Sequence, residues 1–245
     1  IKNNVSDMTV WLKQIASCFL LYRSGKSSSK AFIISVVLIA LLINPVCYSS
    51  NRTLAAVTVH PLATKASEKA FKDGGNAVDA AVASALTLGV VDGFNSGIGG
   101  GCFILIHKPN GEFVAIDGRE TAPIKASRDM YIREGRADSN LSQTGALSIG
   151  VPGALAAYNH VTSKYGNLSI AKHLRDASKI ADQGFVLDSS YIRRLNKVVN
   201  KLRRFPDSAR IFLDDNGAPW PIGYRLKQPD LARSYLNISN QSAEW

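Results

Sequence analysis

Residues 92–123 read DGFNSGIGGGCFILIHKPNGEFVAIDGRETAP. Gly97, Gly99, Gly100 and Gly101 fall within five positions, and the apolar run Cys102-Phe103-Ile104-Leu105-Ile106 follows at once. A turn signal stands at Pro109-Asn110-Gly111, and a second β-type run, Phe113-Val114-Ala115-Ile116, leads into Asp117-Gly118-Arg119-Glu120-Thr121 and Pro123. The pattern predicts a hairpin with a glycine-rich entry at one end and an exposed charge cluster at the other.

Glycines this dense permit positive φ or let backbone N–H groups approach a ligand or a neighbouring strand. Two nucleotide readings fail. A phosphate-cradling loop needs Gly-Lys-Ser/Thr at its end, where Cys102-Phe103 stands. A dinucleotide fingerprint needs a third glycine at Cys102 and a helix after it, where a strand is expected. What remains on local grounds is a turn feeding a strand against close neighbours. Arg119 has three readings. It binds a carboxylate through parallel hydrogen bonds, it pairs with Glu120 or Asp117 at the surface without further role, or it simply faces water.

Several motifs in one order add to these local readings. Ser96-Gly97-Ile98-Gly99-Gly100-Gly101, Asp117 to Pro123 and Gly150-Val151-Pro152-Gly153, with Asp73 to Ala80 upstream and Ala181 to Phe185 downstream, resemble the large subunit of the γ-glutamyltranspeptidase (glutathione hydrolase) family. The resemblance runs from about Ala55 to the end of the chain. It implies an α+β fold, the αββα sandwich of N-terminal nucleophile hydrolases with only its N-terminal part present. It implies a precursor that cleaves itself to expose a threonine, whose own α-amino group serves as base for attack on the γ-glutamyl amide. The acyl group then passes to water, an amino acid or a peptide, with no metal or organic cofactor. Arg119 matches the arginine that binds the substrate's α-carboxylate, and Glu120 is expected to orient that site. The implied partners are glutathione or another γ-glutamyl substrate, and the remainder and small subunit of the same precursor.

The family's Thr-Thr-His cleavage site has no match here, since Thr58-Val59-His60 stands in the wrong place and context. No catalytic residue is therefore assigned within this chain. Three readings stay open: part of a γ-glutamyl hydrolase or transferase, a glutamate- or glutathione-binding pseudoenzyme, and a related acylase with another acyl group.

The 245 residues are 46% hydrophobic and 20% charged, with a net charge of +10. These values suit a globular chain with a sizeable core. Scattered basic residues without an interleaved aromatic pattern argue against a nucleic-acid partner. Residues 1–50 form a basic N-terminal segment followed by an apolar run, Ala31 to Ile43, and small residues. They read as an export signal, with a membrane anchor through residues 31–43 as the alternative. A periplasmic or extracellular location is the expectation. Residues 51–245 are then the N-terminal part of the large subunit. Cys18, Cys47 and Cys102 offer no disulfide framework, and the four histidines are dispersed, without metal-ligand spacing.

The remaining elements are read from periodicity and caps. A β-rich stretch is expected at Ala55 to Val59. Helices are expected from Ala63 to Lys72, from Ala77 to about Leu88 behind an Asn76 cap, from Ala154 to Lys164, and from Ile170 to Ala181 behind Ser169. Asn140 to Gly145 reads as loop, and Ala146 to Gly150 as a short strand. Asp188 to Phe205 is a basic amphipathic helix ended by Pro206. Such a helix is either an ordinary surface helix or one that lies on a membrane or nucleic acid. Turns are expected after it, until Asp230 caps a last helix running to about Leu236.

Overall fold

A computed structural model describes residues 54–241. The export-signal expectation falls on residues 1–50 and lies outside them. The first helix, α1 (Pro61–Lys72), takes His60 as its N-cap, with Nδ1 accepting from Leu62 N at 3.1 Å. Asp73, Gly74 and Gly75 then turn the chain into α2 (Ala77–Val91). Asn76 and Asp79 form a reciprocal capping box at its start. The two helices approach closely because Ala63, Ala70, Ala80 and Ala83 are buried between them. The Ser67 and Ser84 hydroxyls bond to each other across the same interface.

The hairpin forms as expected. Strands β1 (Cys102–His107) and β2 (Phe113–Gly118) pair antiparallel, Cys102 opposite Gly118 and His107 opposite Phe113. Period-2 alternation turns Ile104, Ile106 and Ile116 toward the core, while Phe103, Leu105 and Phe113 stand 67%, 70% and 64% exposed on the other face.

Beyond the hairpin come β3 (Ile132–Arg133), β4 (Arg136–Ala137), α3 (Ser139–Gln143) and a 3₁₀ turn at Ala146–Ser148. Two expectations are corrected here. The loop expected at 140–145 is mostly helix because Asp138 caps it, accepting from Asn140 N at 2.9 Å. The strand expected at 146–150 is a 3₁₀ turn because Gly145 has φ +96° and Ser148 Oγ donates back to Gly145 O. Only Val151 bridges, antiparallel to Thr121.

Next are α4 (Ala154–Tyr165), α5 (Ile170–Gln183), β5 (Phe185–Val186), α6 (Ser189–Leu202), α7 (Pro206–Phe212), β6 (Arg225–Leu226) and α8 (Pro229–Asn240). α6 closes at Leu202 with Arg203 as its C-cap, short of the expected Phe205, and Pro206 opens α7. Proline needs no N–H at the first helical position, so it starts a helix as readily as it stops one. The same rule places Pro229 at the head of α8, with Gln228 rather than Asp230 as N-cap, and α8 runs to Asn240, past Leu236. Pro152 likewise stands ahead of α4, whose N-cap is Gly153. Gly184, at φ +77°, ends α5 where an added Cβ would lie 2.6 Å from Leu226 O.

The core gathers α2, α4, α5 and α8. Leu86, Val90, Val161, Leu174 and Tyr235 are fully buried. Tyr235 Oη donates to Leu86 O at 3.2 Å and Gln228 Nε2 to Val90 O at 2.8 Å, so α8 is bonded to the C-terminal half of α2. Residues 55–59, expected to be β-rich, pair with no strand among the described residues; Val57 and Val59 are exposed. A cavity of about 500 Å³ separates this segment from α2, and another of about 420 Å³ lies between α2 and β1.

The sheets of the described residues are two-stranded, and a lone hairpin with an apolar outer face is marginal in water. The expected result is that the 245-residue chain on its own self-associates. The double variant Leu105→Lys/Phe113→Lys should restore a monomeric size-exclusion peak. A cooperative, monomeric melt of the unmodified chain would refute this.

Candidate functional site

The glycine run, the end of β2 and the start of α4 meet at one place. Gly118 is buried, and an added Cβ would lie 2.6 Å from the Ala157 Cβ of α4. At Gly153 a Cβ would fall 2.5 Å from Gly118 O and 2.6 Å from Arg119 O. Backbone therefore packs directly on backbone, which only glycine permits. The N–H groups of Gly153 and Ala154 donate to Gly100 O at 3.2 and 3.1 Å, tying the glycine run to the head of α4. Thr121 and Val151 exchange backbone hydrogen bonds at 3.1 and 2.8 Å, so the chain is held on both sides of Glu120.

Arg119 projects from this braced segment. Asp117 Oδ1 accepts its backbone N–H at 3.0 Å, which fixes the turn just after the strand. The guanidinium is exposed, 5.8 Å from the Phe103 ring centroid, and among the described residues it makes no ion pair. Pairing with Asp117 or Glu120 is thus not the arrangement found; the side chain faces solvent, as both the carboxylate-binding and the water-facing readings require. Glu120 turns the other way. Its carboxylate lies against the backbone of Gly100 and Gly101, where an added Cβ would meet Oε1 at 3.3 Å and Oε2 at 2.6 Å respectively. The two candidate residues are neighbours in sequence, but their charged ends are not joined. Arg119 stands on open surface and lines neither cavity described above.

Cys102 begins β1 beside Gly118, half-buried. Burial pushes its thiol up, against a hydrogen bond from Tyr158 that works the other way. A protonated thiol is a poor nucleophile, so Cys102 acts here as a small packing residue, as its place in the sequence suggests. Burial likewise raises the Tyr158 phenol to about 12. Among the described residues no three His, Cys, Asp or Glu side chains gather as a metal site. No helix among them is long and apolar enough to cross a membrane.

One buried cluster was not anticipated. Asp79 is completely buried and its carboxylate accepts from three backbone N–H groups: Asn76 at 2.8 Å, Asn167 at 2.9 Å and Leu168 at 3.0 Å. His173 Nε2 lies 3.4 Å from the same carboxylate. Burial works to raise the Asp79 pKa, but the backbone donors and His173 outweigh it and hold the group below the usual carboxylate value. Burial wins at His173, whose pKa is lowered despite Asp79. The cluster joins α2 to the α4–α5 turn and lies apart from Arg119. Asn76 three residues before Asp79, the capping-box spacing, was its one sequence signal.

Comparison with known proteins adds the family context. The sequence model of the family described as Gamma-glutamyltranspeptidase matches residues 63–245. The chain is 36% identical over 188 residues to the glutathione hydrolase proenzyme of Escherichia coli, covering 76% of this chain and 32% of that protein. It is 36% identical over 175 residues to glutathione hydrolase proenzyme 1 of Schizosaccharomyces pombe, covering 71% of this chain and 27% of that protein. The crystal structure of Helicobacter pylori γ-glutamyltranspeptidase superposes with a TM-score of 0.73 at 34% identity, covering 75% of this chain and 53% of that one. The chain thus spans about a third or less of the length of these curated relatives. The mixed helix and strand architecture is part of the N-terminal nucleophile hydrolase fold of these structures.

Proposed function

Because this chain belongs to the γ-glutamyltranspeptidase family, we propose that it forms the N-terminal part of an enzyme that cleaves γ-glutamyl amides such as glutathione, and that Arg119 holds the substrate's α-carboxylate. The observation that carries this is the exposed guanidinium, free of any carboxylate partner among the described residues, on a segment braced from both sides. A planar guanidinium on a fixed backbone presents two parallel N–H donors to a carboxylate, which orients the ligand as well as attracting it. Glu120 serves as brace: its carboxylate lies on the glycine run, so it fixes Arg119's neighbour rather than contacting substrate. The attacking threonine belongs to the small subunit of the precursor, and its amino group takes the hydroxyl proton. This chain contributes binding and orientation, in an exported enzyme at the periplasmic or extracellular side.

The test is ligand binding followed by calorimetry. Glutamate and glutathione should bind, and 4-aminobutyrate, which lacks the α-carboxylate, should not. Arg119→Ala should weaken glutamate binding by about 100-fold, from two charge-assisted hydrogen bonds at about 1.5 kcal/mol each. Arg119→Lys should keep the charge and still lose about tenfold, since one ammonium cannot make the paired contact. Unchanged affinity in Arg119→Ala would reject the assignment. Glutarate binding as tightly as glutamate would point instead to an acylase for another acyl group.

A further inference from the structure

We propose that the outer face of α6 is a docking surface for anionic phospholipid. Six cations, Arg193, Arg194, Lys197, Lys201, Arg203 and Arg204, stand exposed along α6 and the turn that follows it. Among the described residues none of them pairs with a carboxylate. Their partners are neutral: Arg193 Nη1 donates to Ser189 Oγ at 3.3 Å, and Arg203 Nε to Gly217 O at 2.8 Å. Neither acid that flanks α6 in sequence forms an ion pair with these cations. Asp188 caps α6 by accepting from Tyr191 N at 2.7 Å, and Asp207 lies 3.9 Å from Arg210. By contrast, Lys69 and Lys172 share Asp73 and Asp176 on the α1–α5 side; what sets α6 apart is that six cations stand together on one face.

Helix stability does not account for this pattern. Cations near the C-terminus suit the helix dipole, which covers Lys201, Arg203 and Arg204. Arg193 and Arg194 stand beyond the first turn of α6, where the dipole gives cations no benefit. Arg193, Lys197 and Lys201 repeat at four-residue steps, so neighbours on one face repel. The opposite face is committed to the core through the buried Tyr191 and Leu195. A solvent-facing stripe of unneutralised charge that weakens its own helix is explained by an anionic partner.

Lipid fits that partner better than nucleic acid. At the end of the stripe Phe205 is 37% exposed, with the Arg204 guanidinium 6.0 Å from its ring centroid. Arginine at phosphate level with an aromatic just below it matches a headgroup layer over an apolar one.

Flotation of the full chain with vesicles tests this, since bound protein rises and aggregate does not. Phosphatidylserine/phosphatidylcholine vesicles should carry the chain up, and phosphatidylcholine alone should carry much less. The triple variant Arg193→Gln/Lys197→Gln/Arg204→Gln should lose on the order of 100-fold in partitioning, at about fivefold per charge. Its N-terminal segment is unchanged, so the difference belongs to α6. Arg193→Lys/Arg204→Lys should float like the parent, which shows that charge rather than arginine geometry matters. Phe205→Ser should cost several-fold, and 0.5 M salt should abolish the charge-dependent part. Far-UV circular dichroism checks that each variant keeps its helix. Equal flotation of the triple variant, equal binding to neutral vesicles, or preferential binding of a duplex oligonucleotide over anionic vesicles would each overturn the proposal.

Discussion

Asp79→Ala is expected to destabilise the chain by on the order of 3–6 kcal/mol, a large part of the 5–15 kcal/mol that holds a typical domain folded. Three half-buried N–H groups lose their acceptor at once, from Asn76 in the cap of α2 and from Asn167 and Leu168 before α5. Alanine supplies no substitute, and a buried, unpaired donor costs far more than a surface one. Asp79→Asn keeps the shape but brings an NH₂ group against donors it cannot bond, so it should fall between the two. Urea unfolding at low protein concentration measures both. A loss below about 1 kcal/mol for Asp79→Ala would mean that water replaces the carboxylate, against the complete burial seen here.

The same cluster sets an acid limit. Asp79 has a folded-state pKa below its ordinary value of 3.8, so its contribution is complete above that value and is lost as pH falls through the folded one. His173 also has a lowered folded-state pKa, beneath its ordinary 6.5. Below that pH the unfolded chain takes up a proton the folded chain refuses, so stability starts to fall there. The expected profile has an onset near pH 6.5 and a steeper loss below about 4. Asp79→Asn should abolish the second step and deepen the first, because the carboxylate is what partly holds the His173 pKa up.

What could be read from the sequence follows how local each determinant is. The hairpin and the Asn76 and Ser169 caps rest on residues within a few positions of one another, and each forms as expected. The elements that differ from expectation turn on proline, which stops and starts helices alike, at Pro206 and Pro229, on a single Asx cap at Asp138, or on the positive φ of Gly145 before the 3₁₀ turn. Residues 55–59 are β-like in composition, yet a strand exists only where it has a partner, and none is present among the described residues. Arg119 was legible as a candidate because the motif around it is contiguous. Its freedom from Glu120 was not, because that depends on Gly100, Gly101 and Gly150 closing around the Glu120 side chain from distant positions.

Gly153→Ala should weaken glutamate binding at least tenfold without altering any group that touches the ligand. The added Cβ would fall 2.5 Å from Gly118 O, 2.6 Å from Arg119 O and 2.9 Å from Gly118 C. These are backbone atoms and cannot rotate away, so either α4 retreats or the Gly118–Arg119 peptide moves. Both outcomes displace the guanidinium, and retreat of α4 also pulls on Gly100 O through the Gly153 and Ala154 N–H groups. Overpacking of this kind costs about 1–3 kcal/mol in stability, so urea unfolding should shift together with the affinity. A second site separates packing at the brace from general damage. Gly118→Ala meets chiefly the Ala157 Cβ, at 2.6 Å, and Ala157→Gly should recover much of its loss. Ala157→Gly should do nothing for Gly153→Ala, whose clash is with backbone. The two double-mutant cycles should therefore differ, with strong coupling in the first and near additivity in the second. Equal coupling in both, or a Gly153→Ala chain that binds glutamate like the parent, would show that Arg119 is not positioned by the contact between α4 and the end of β2.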